Sequence, residues 1–457
     1  MASTYLTRTN ASAETNVDKA TISFWLKRTR LGTEESVFGA YSSDANRLKF
    51  RFRSDNKFDF EVGVGGSWYS LITNRRFIDT NSWYHFVISY DSTQAAASDR
   101  TKIYINGVLE TSYATSNYVP QNQDFYFTKN GLGITIGDNY QGGTHQNFFD
   151  GLLSHFVCVD GQALDATSFG ETDSDTGEWK WKGISGVTYG NNGFYLLKDV
   201  ANVTDYSGNN NNFSAGGGGM TLTQDNPSNN FPTMKSPGWS DHAHSYGGNR
   251  VVTSGTNYRY SVATMGVHKG KWYWEAKFQA LGNYALAGIT GDTGGQSNST
   301  GHILGAGLYH YSVVYNTVGG NGHKYNNAGN SPTNTPGAFM GGFSAGDIVT
   351  FALDCDNNTL KIGANGNWSN GSGSTNQTFA NSTAITIADP TLVASGYYFP
   401  ACGDYTGTSN TIEFNFGNGF FGNTAIASAG TNASNLGLFE YDVPADYKAI
   451  CSKGLNT

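Results

Sequence analysis

Aromatic side chains that stand beside amide or imidazole groups in polar segments are the residues best suited to chemistry in this sequence. Such pairs suit sugar binding, because a sugar ring packs its C–H face on an aromatic ring while nearby polar groups orient it. The alternative is that these rings anchor their own loops, since exposed aromatic residues are common. The candidate residues are Trp68, Tyr69, Tyr140, His145, Tyr309, His310, Tyr311, Tyr325 and Trp368.

Closely spaced carboxylates are the second feature with chemical potential. Residues 171–178 read Glu-Thr-Asp-Ser-Asp-Thr-Gly-Glu, an echo of the paired acids that glycoside hydrolysis requires. The segment is polar throughout, so it predicts an acidic loop that cannot hold two carboxylates at a fixed separation. No H-E-x-x-H or P-loop pattern occurs. We therefore predict a protein that is not an enzyme.

Composition limits the partners that this chain can have. The formal net charge of its 457 residues is −8, and no cluster of Lys and Arg offers a phosphate-binding groove, which argues against nucleic acid. No apolar run approaches the roughly 20 residues of a membrane span, so membrane insertion is not expected. The N-terminus lacks the pattern of a signal peptide, which predicts synthesis in a cytosol. The four cysteines are widely spaced and are expected to be reduced and packed as small apolar groups.

Alternation of apolar and polar residues predicts the elements that must position these groups. Residues 48–53 and 58–62 alternate with period 2 and flank a turn, which predicts a hairpin with Arg51 or Arg53 opposite Asp59 or Glu61. Residues 83–90 are apolar on both faces and predict a central strand. Asn106-Gly107 between two apolar runs predicts a second hairpin. Asp165 is predicted to cap a short helical turn at 166–169.

The fold that these signals predict is all-β, with two tandem antiparallel β-sandwich (jelly-roll) domains. The predicted boundaries are 1–172 for the first domain and 239–425 for the second. Residues 173–238 are rich in Gly and Asn and predict a linker with one or two strands, one of them at 194–197. Residues 426–457 form a predicted C-terminal extension that drapes over a domain or a neighbouring subunit.

The first 170 residues resemble a laminin-G or concanavalin-A-like lectin domain. The motifs are Ile22–Lys27, Trp83–Val87, Ile103–Gly107, Ile134–Gly137 and Phe149–Leu153, followed by Gln162–Leu164. Laminin-G-like domains often hold calcium near the rim of a sheet. The resemblance therefore implies a weak calcium candidate at Asp138 and Asn139, although calcium needs further oxygen ligands from other loops. No other cofactor is expected.

The second half resembles a SPRY domain. The matching motifs are Gly270–Glu275, Ala287–Ile289, Gly346–Val349, Tyr398–Ala401 and Phe414–Gly417. SPRY domains recognise ligands with loops at one end of the sandwich, which favours the cluster around Tyr309, Tyr325 and Trp368. The tandem of both domains is similar to virion and tail-fibre-like proteins of marine bacteriophages.

This resemblance implies a bacteriophage protein on the virion surface that attaches to a host-surface glycan or envelope receptor and contacts other virion subunits. A homo-oligomer is expected, and a trimer by analogy with phage fibres alone. One alternative is a structural capsid or tail decoration protein that binds only neighbouring subunits. Another is a polysaccharide depolymerase. If the C-terminal extension is an assembly segment, deletion of residues 439–457 should leave a folded protein that fails to assemble.

Overall fold

The chain forms two compact units, Met1–Leu222 and Thr223–Thr457, in which strands account for 47% of the residues and helices for 4%. The all-β fold class is thereby confirmed. The computed structural model describes residues 4–174, 176–198, 203–218, 220, 222–235, 242–253, 260–282, 284–291, 309–315, 323–326, 339–404 and 409–455, with only the backbone of 314 and 323–326.

The first unit contains eighteen strands among its described residues. They are β1 (Tyr5–Thr9), β2 (Lys19–Arg28), β3 (Glu35–Ser43), β4 (Asn46–Phe52), β5 (Lys57–Val64), β6 (Ser67–Arg76), β7 (Tyr84–Asp91), β8 (Thr101–Ile105), β9 (Val108–Leu109), β10 (Tyr113–Asn117), β11 (Gly133–Ile136), β12 (Asn139–Gln141), β13 (Thr144–Gln146), β14 (Gly151–Asp160), β15 (Gly170–Thr172), β16 (Trp179–Trp181), β17 (Phe194–Leu196) and β18 (Ser214–Gly216). Short 3-10 helices lie at Ala97–Asp99, Tyr126–Thr128 and Ala166–Ser168.

Two antiparallel sheets pack face to face in the first unit. The larger has the order β10-β6-β5-β4-β3-β11-β1-β18, and the smaller has the order β17-β14-β2-β7-β8-β9. Phenylalanines from both sheets interlock between them: the ring centroids of Phe58 and Phe86 are 4.6 Å apart, and those of Phe24 and Phe38 are 5.7 Å apart. The predicted central strand is confirmed, because β7 lies between β2 and β8.

The two predicted hairpins of this unit are also confirmed. Strands β4 and β5 pair with Arg51 opposite Asp59, because the apolar residues of both strands must face the same core. Asn106 and Gly107 join β8 to β9 with φ of 48° and 80°, as a tight two-residue turn requires. The Asp165 side chain accepts a hydrogen bond from the Thr167 backbone N–H and caps the predicted helical turn.

The segment predicted as a linker is part of both units. Its strand β17 pairs with β14, and β18 pairs with β1. The Asn-rich stretch after β17 is braced by the buried carboxylate of Asp205, which accepts hydrogen bonds from the backbone N–H groups of Tyr195, Ser207 and Asn211. Side-chain amides here replace the apolar contacts that the composition lacks, so low hydrophobicity does not leave this stretch without structure.

The second unit contains eighteen further strands among its described residues. They are β19 (Met234–Lys235), β20 (Ala243–Ser245), β21 (Arg250–Val252), β22 (Tyr260–Ala263), β23 (Lys271–Ala280), β24 (Ala285–Thr290), β25 (His310–Tyr315), β26 (His323–Asn326), β27 (Ile348–Asp354), β28 (Thr359–Ala364), β29 (Asn367–Ser369), β30 (Thr375–Gln377), β31 (Ala384–Thr386), β32 (Phe399–Asp404), β33 (Thr411–Asn415), β34 (Phe420–Phe421), β35 (Thr424–Ala425) and β36 (Lys448–Ala449). A 3-10 helix lies at Pro390–Leu392 and the short helix α1 at Ser452–Leu455.

Two main sheets enclose the core of the second unit. One has the order β19-β22-β32-β24-β25-β26, and the other follows β20-β21-β33-β23-β27-β28-β29-β30, with β31 and β36 paired to its inner strands. The core includes Ala287 and Tyr311 from the first sheet and Trp274 and Phe351 from the second, with the last two rings stacked at 5.1 Å. The whole described chain contains no helix that is both long and apolar enough to cross a membrane.

The C-terminal segment belongs to the core of the second unit. Strand β36 pairs with β23 in parallel, and the side chains of Phe439, Tyr447 and Ile450 are buried. The buried carboxylate of Glu275 holds this segment, because it accepts hydrogen bonds from the backbone N–H groups of Glu440 (3.0 Å) and Tyr441 (2.9 Å). The expectation that residues 439–457 can be deleted from a folded protein is therefore wrong.

Glu275 provides a test of this anchoring. Tyr273 Oη (3.0 Å) and Asn415 Nδ2 (3.1 Å) also donate to its carboxylate. In the Glu275→Ala variant these buried donors lose their acceptor, which should lower the free energy of unfolding of the second unit by about 3 kcal/mol. Urea denaturation followed by tryptophan fluorescence measures this change. The control is Asp446→Asn, which neutralises an exposed acid of the same segment. Its free energy of unfolding should equal that of wild type.

The pH dependence of stability offers a second test. Burial raises the pKa of Glu275 from 4.5 to about 7, partly offset by its hydrogen bonds. Between these values the folded state keeps a proton that the unfolded chain has lost, so Glu275 makes the second unit less stable as pH rises from 4.5 to 7. Glu275→Gln should remove this contribution. Equal slopes of unfolding free energy against pH in wild type and variant would contradict the assignment.

Candidate functional site

A row of polar residues crosses the outer face of the eight-stranded sheet. The pairing registers place one residue from each strand side by side, and the apolar neighbours of these residues face the core. Hydroxyl, amide, carboxylate and ammonium groups therefore line one side of the sheet. The members of this polar row, from β10 to β18, are Asn117, Ser70, Glu61, Lys49, Gly39, Thr135, Thr7 and Ser214.

Trp68 lies beside the polar row and is the most exposed tryptophan of the described chain, with 41% of its surface accessible. Its ring rests against Gly63, where an added Cβ would come 2.6 Å from the ring carbon Cζ3. The Arg47 guanidinium lies over the ring, 4.2 Å from its centroid. The indole is thus held in place by a glycine and a cation while much of its surface stays open to solvent.

The charges around Trp68 form a connected network of ion pairs. Arg51 bridges Asp59 (2.9 Å), Glu61 (2.8 Å) and Glu34 (3.1 Å), and Arg47 Nη2 lies 3.2 Å from Glu61 Oε1. Cations and anions are therefore paired within the face, which carries no large excess of either sign. Such a network fixes the side chains in place before any ligand arrives.

The hairpin β12–β13 lies over part of the same face and is called the flap below. Its residue Gln141 accepts a hydrogen bond from Lys49 Nζ (3.0 Å) and donates one to Asp44 (2.9 Å). Burial lowers the pKa of Lys49, and the neighbouring Arg47 lowers it further. Tyr140 and His145 are directly paired in the flap, with ring centroids 4.8 Å apart, so the structure brings these two predicted residues together.

The flap is held to the sheet by His145. Its imidazole stacks on Tyr5, with ring centroids 3.6 Å apart, and its Nδ1 contacts the buried carboxylate of Asp138. Burial raises the pKa of Asp138, although the hydrogen bond from His145 opposes this. Asp138 thus faces His145, and no group of three or more His, Cys, Asp or Glu side chains in the described chain is placed to hold a metal ion. Calcium at Asp138 and Asn139 stays a prediction from the resemblance.

Trp68 and Tyr69 do not act together. They are consecutive residues of strand β6, so their side chains point to opposite faces of the sheet. Trp68 is on the outer face, and Tyr69 packs against the core. The two predicted rings therefore cannot contact one ligand together, because both belong to the strand that begins at Ser67.

The predicted cluster of the second unit is largely interior. Tyr311 and Trp368 are 2% and 6% exposed, and His310 is also buried. The Tyr311 hydroxyl accepts a hydrogen bond from the Ala388 backbone N–H, and Trp368 packs edge-on against Phe379. These three residues belong to strands rather than to exposed loops, so they do not offer a ligand-binding surface.

The remaining two residues of that cluster give no support to a shared site. Tyr309 is half-buried and packs against the core next to β25, with φ of 66°. The side chain of Tyr325 lies outside the described residues.

Ser23 Oγ and His85 Nε2 form a hydrogen bond of 2.9 Å. The pair resembles a serine nucleophile with its histidine base. Trp179 Nε1, which can only donate, lies 2.9 Å from His85 Nδ1, so the imidazole carries its proton on Nε2 and donates it to Ser23. Burial also lowers the pKa of His85 to about 3. His85 therefore cannot take the proton of Ser23, and this pair is structural.

The described residues of the acidic segment 171–178 lie at the surface, at the hairpin β15–β16. Lys180 Nζ pairs with Asp173 (2.9 Å) and Glu171 (3.6 Å), so these carboxylates are neutralised by a lysine rather than directed at a substrate.

Sequence reasoning missed Gly63 and Arg47, the residues that hold Trp68 in place. The alternation of 48–53 continues back to Arg47, which would have placed it on the outer face. Gly63 carries no such signal, because its role depends on its cross-strand partner in β6.

Comparisons with known proteins agree with this description of the first unit. Residues 2–168 match the family model described as the Concanavalin A-like lectin/glucanases superfamily. A comparison with curated protein sequences finds no match.

Solved structures similar to parts of the chain include three that concern different folds and ligands. A heptameric SAP-like pentraxin from Limulus polyphemus is 18% identical (35% of this chain, 71% of that chain, TM-score 0.27). The SPRY domain of human HERC1 is 14% identical (36% of this chain, 87% of that chain, TM-score 0.24). A third structure is domain 4 of AbnA, a GH43 extracellular arabinanase from Geobacillus stearothermophilus, in complex with arabinotriose. It is 22% identical (34% of this chain, 64% of that chain, TM-score 0.25).

The flap supplies a testable consequence of this geometry. A two-stranded hairpin is marginal by itself, so the flap depends on what holds it. His145→Ala removes the stack on Tyr5 and the contact with Asp138, and amide hydrogen exchange within 139–146 should become at least about tenfold faster. Thr144→Ala, at an exposed position of the same hairpin, should leave exchange unchanged. Exchange rates equal to wild type in His145→Ala would show that other contacts hold the flap.

Proposed function

We propose that the first unit binds carbohydrate through the outer face of its eight-stranded sheet. The observation that carries this proposal is Trp68, an exposed indole fixed by Gly63 and Arg47 beside a row of hydrogen-bonding groups. An aromatic surface for the C–H face of a sugar and fixed polar groups for its hydroxyls are the two requirements of sugar recognition. The match of residues 2–168 to a lectin and glucanase superfamily supports the same function.

The form of the face favours a chain of sugars over a single small molecule. Neighbouring strands lie about 4.8 Å apart, so Asn117, Ser70 and Glu61, the members of the polar row beside Trp68 that are not buried, can meet hydroxyl groups on successive rings. The paired charges favour ligands that accept and donate hydrogen bonds without a large net charge. The flap, with Tyr140 36% exposed at its surface, lies over part of this face.

The proposed role is binding rather than catalysis. The Ser23–His85 pair has the wrong proton arrangement for a nucleophile and its base, and the acids of 171–178 that the structure describes are surface groups. Polysaccharide depolymerisation remains the alternative that an enzymatic assay can address. Release of reducing ends from bacterial capsule or exopolysaccharide by the purified chain would replace the binding proposal with that activity.

The setting that we propose is the surface of a bacteriophage particle, where the chain would attach to a host glycan or receptor. Only the resemblance of the domain tandem to virion proteins supports this setting. The rival is a decoration protein that contacts neighbouring subunits alone. A map of an intact particle with this subunit located would separate the two, because the rival requires neighbouring subunits to cover Trp68 and Tyr140.

Truncation of Trp68 is the direct test of the binding face. Trp68→Ala should weaken binding of the best oligosaccharide from a glycan array at least about tenfold in isothermal titration, because truncation of a central aromatic contact commonly costs more than 1 kcal/mol. Gly63→Ala should weaken binding as well, since its methyl group displaces the indole without changing any polar group.

The matched control is Tyr206→Ala, which removes another exposed aromatic residue of the same unit that also lies beside a cation, Lys198. Binding by this variant should equal that of wild type. If Trp68→Ala keeps full affinity while its thermal unfolding is normal, sugar binding by this face is excluded.

A further inference from the structure

A second group of exposed rings lies on the second unit and contains none of the site residues predicted from the sequence. The backbone groups of Val267 and Tyr398 pair across two antiparallel segments, with N···O distances of 2.9 and 2.8 Å. Tyr398 is directed into the core, where its hydroxyl donates to the Ala388 carbonyl oxygen at 2.9 Å. Its neighbours Tyr397 and Phe399 therefore point the other way.

Three rings meet on this outer side, and we call them the ring platform: Tyr397, His268 and Phe399. The centroids of Tyr397 and His268 are 4.8 Å apart with their planes nearly perpendicular at 81°, and Tyr397 lies 6.5 Å from Phe399. Tyr397 is 43% exposed, and His268 is exposed as well. The pair thus presents a phenol ring next to the nitrogen-bearing imidazole ring.

The ring platform is built in the same way as the Trp68 site. The Phe399 ring rests against Gly266, where an added Cβ would lie 2.6 Å from two ring carbons. In both sites an aromatic ring thus packs directly against a glycine: Trp68 against Gly63, and Phe399 against Gly266. Tyr397 is fixed through its backbone, because its N–H donates to Ser395 Oγ (3.2 Å) and the same hydroxyl lies 2.7 Å from the Gly291 carbonyl oxygen.

The chemistry of the ring platform selects one class of ligand. Rings with a polar edge suit a sugar ring, which offers C–H groups to the phenol and hydroxyl groups to the imidazole. A protein partner would need about 800 Å² on each side, and three rings form a much smaller patch.

We propose that the ring platform is a second carbohydrate-binding site, which takes a single pyranose or furanose unit of an oligosaccharide. The proposal extends the proposed function to the second unit, but it does not depend on the Trp68 face. Each site can therefore fail without the other.

The experiment uses the full chain and an array of oligosaccharides that includes arabinotriose and α2,3-sialyllactose. Binding is compared among wild type, Trp68→Ala, Tyr397→Ala and the double variant, and sugars that bind are then titrated by calorimetry. We expect Trp68→Ala to retain binding to at least one sugar, and Tyr397→Ala in that background to weaken it about tenfold. Tyr397→Phe should retain it, because the ring remains.

The control is Leu438→Ala, which truncates a similarly exposed apolar residue (41%) of the same unit. Loss of binding in Tyr397→Ala but not in this control supports the ring platform. If Trp68→Ala abolishes every signal, the second site is excluded while the Trp68 face stands. If Tyr397→Ala binds as wild type does, the second site is excluded, and the result for Trp68→Ala alone decides the first proposal. Loss in Tyr397→Ala with no effect of Trp68→Ala supports the ring platform and removes the first proposal.

Discussion

The pairing register of β4, β5 and β6 is the constraint on which the binding face depends. Arg47, Gly63 and Trp68 are adjacent only because each strand is aligned with the next in one register. A shift by a single residue would turn Trp68 into the core and bring Tyr69 to the surface. The phenylalanines on the inner side oppose that shift, since Phe52 and Phe58 pack against Phe86 of the facing sheet. The same core that stabilises the first unit therefore also positions the residues of its proposed binding face.

Local signals predicted the fold well, because each strand or turn can be predicted from the sequence of that strand or turn alone. The hairpin at Asn106-Gly107 and the Arg51–Asp59 pairing follow from alternation and turn chemistry within about fifteen residues. The Trp68 site is harder to predict, since Gly63 matters only through the ring that rests against it. The ring platform is harder still, because Val267 and Tyr398 are 131 positions apart in the sequence. Alternation shows that a side chain faces outward, but it does not show which other outward side chains surround it.

Buried carboxylates explain where the composition was misleading. The Asn-rich stretch and the C-terminal segment both lack a strong apolar pattern. Their composition therefore predicted little ordered structure in either. Asp205 and Glu275 order them through backbone N–H groups, which are present in any sequence and leave no compositional trace. A single buried acid can organise a segment in this way because an unmatched carboxylate in the interior is costly, so its donors cannot move away independently. In both segments these polar contacts add to a few buried apolar side chains, such as Phe213 and Phe439, that are too widely spaced to form a recognisable pattern.

An open sheet face and a closed pocket must achieve selectivity by different means. A pocket can reject a wrong sugar by steric exclusion, whereas an exposed indole accepts the C–H face of many sugars. Selectivity on the outer face must then come from the positions of the polar groups, and these are fixed because Arg51 is held by three carboxylates at once. A ligand meets donors and acceptors that are already ordered, so little side-chain entropy is lost on binding. In the proposed binding mode, the ion-pair network would therefore contribute to recognition mainly through rigidity, since its own charges are satisfied within the protein.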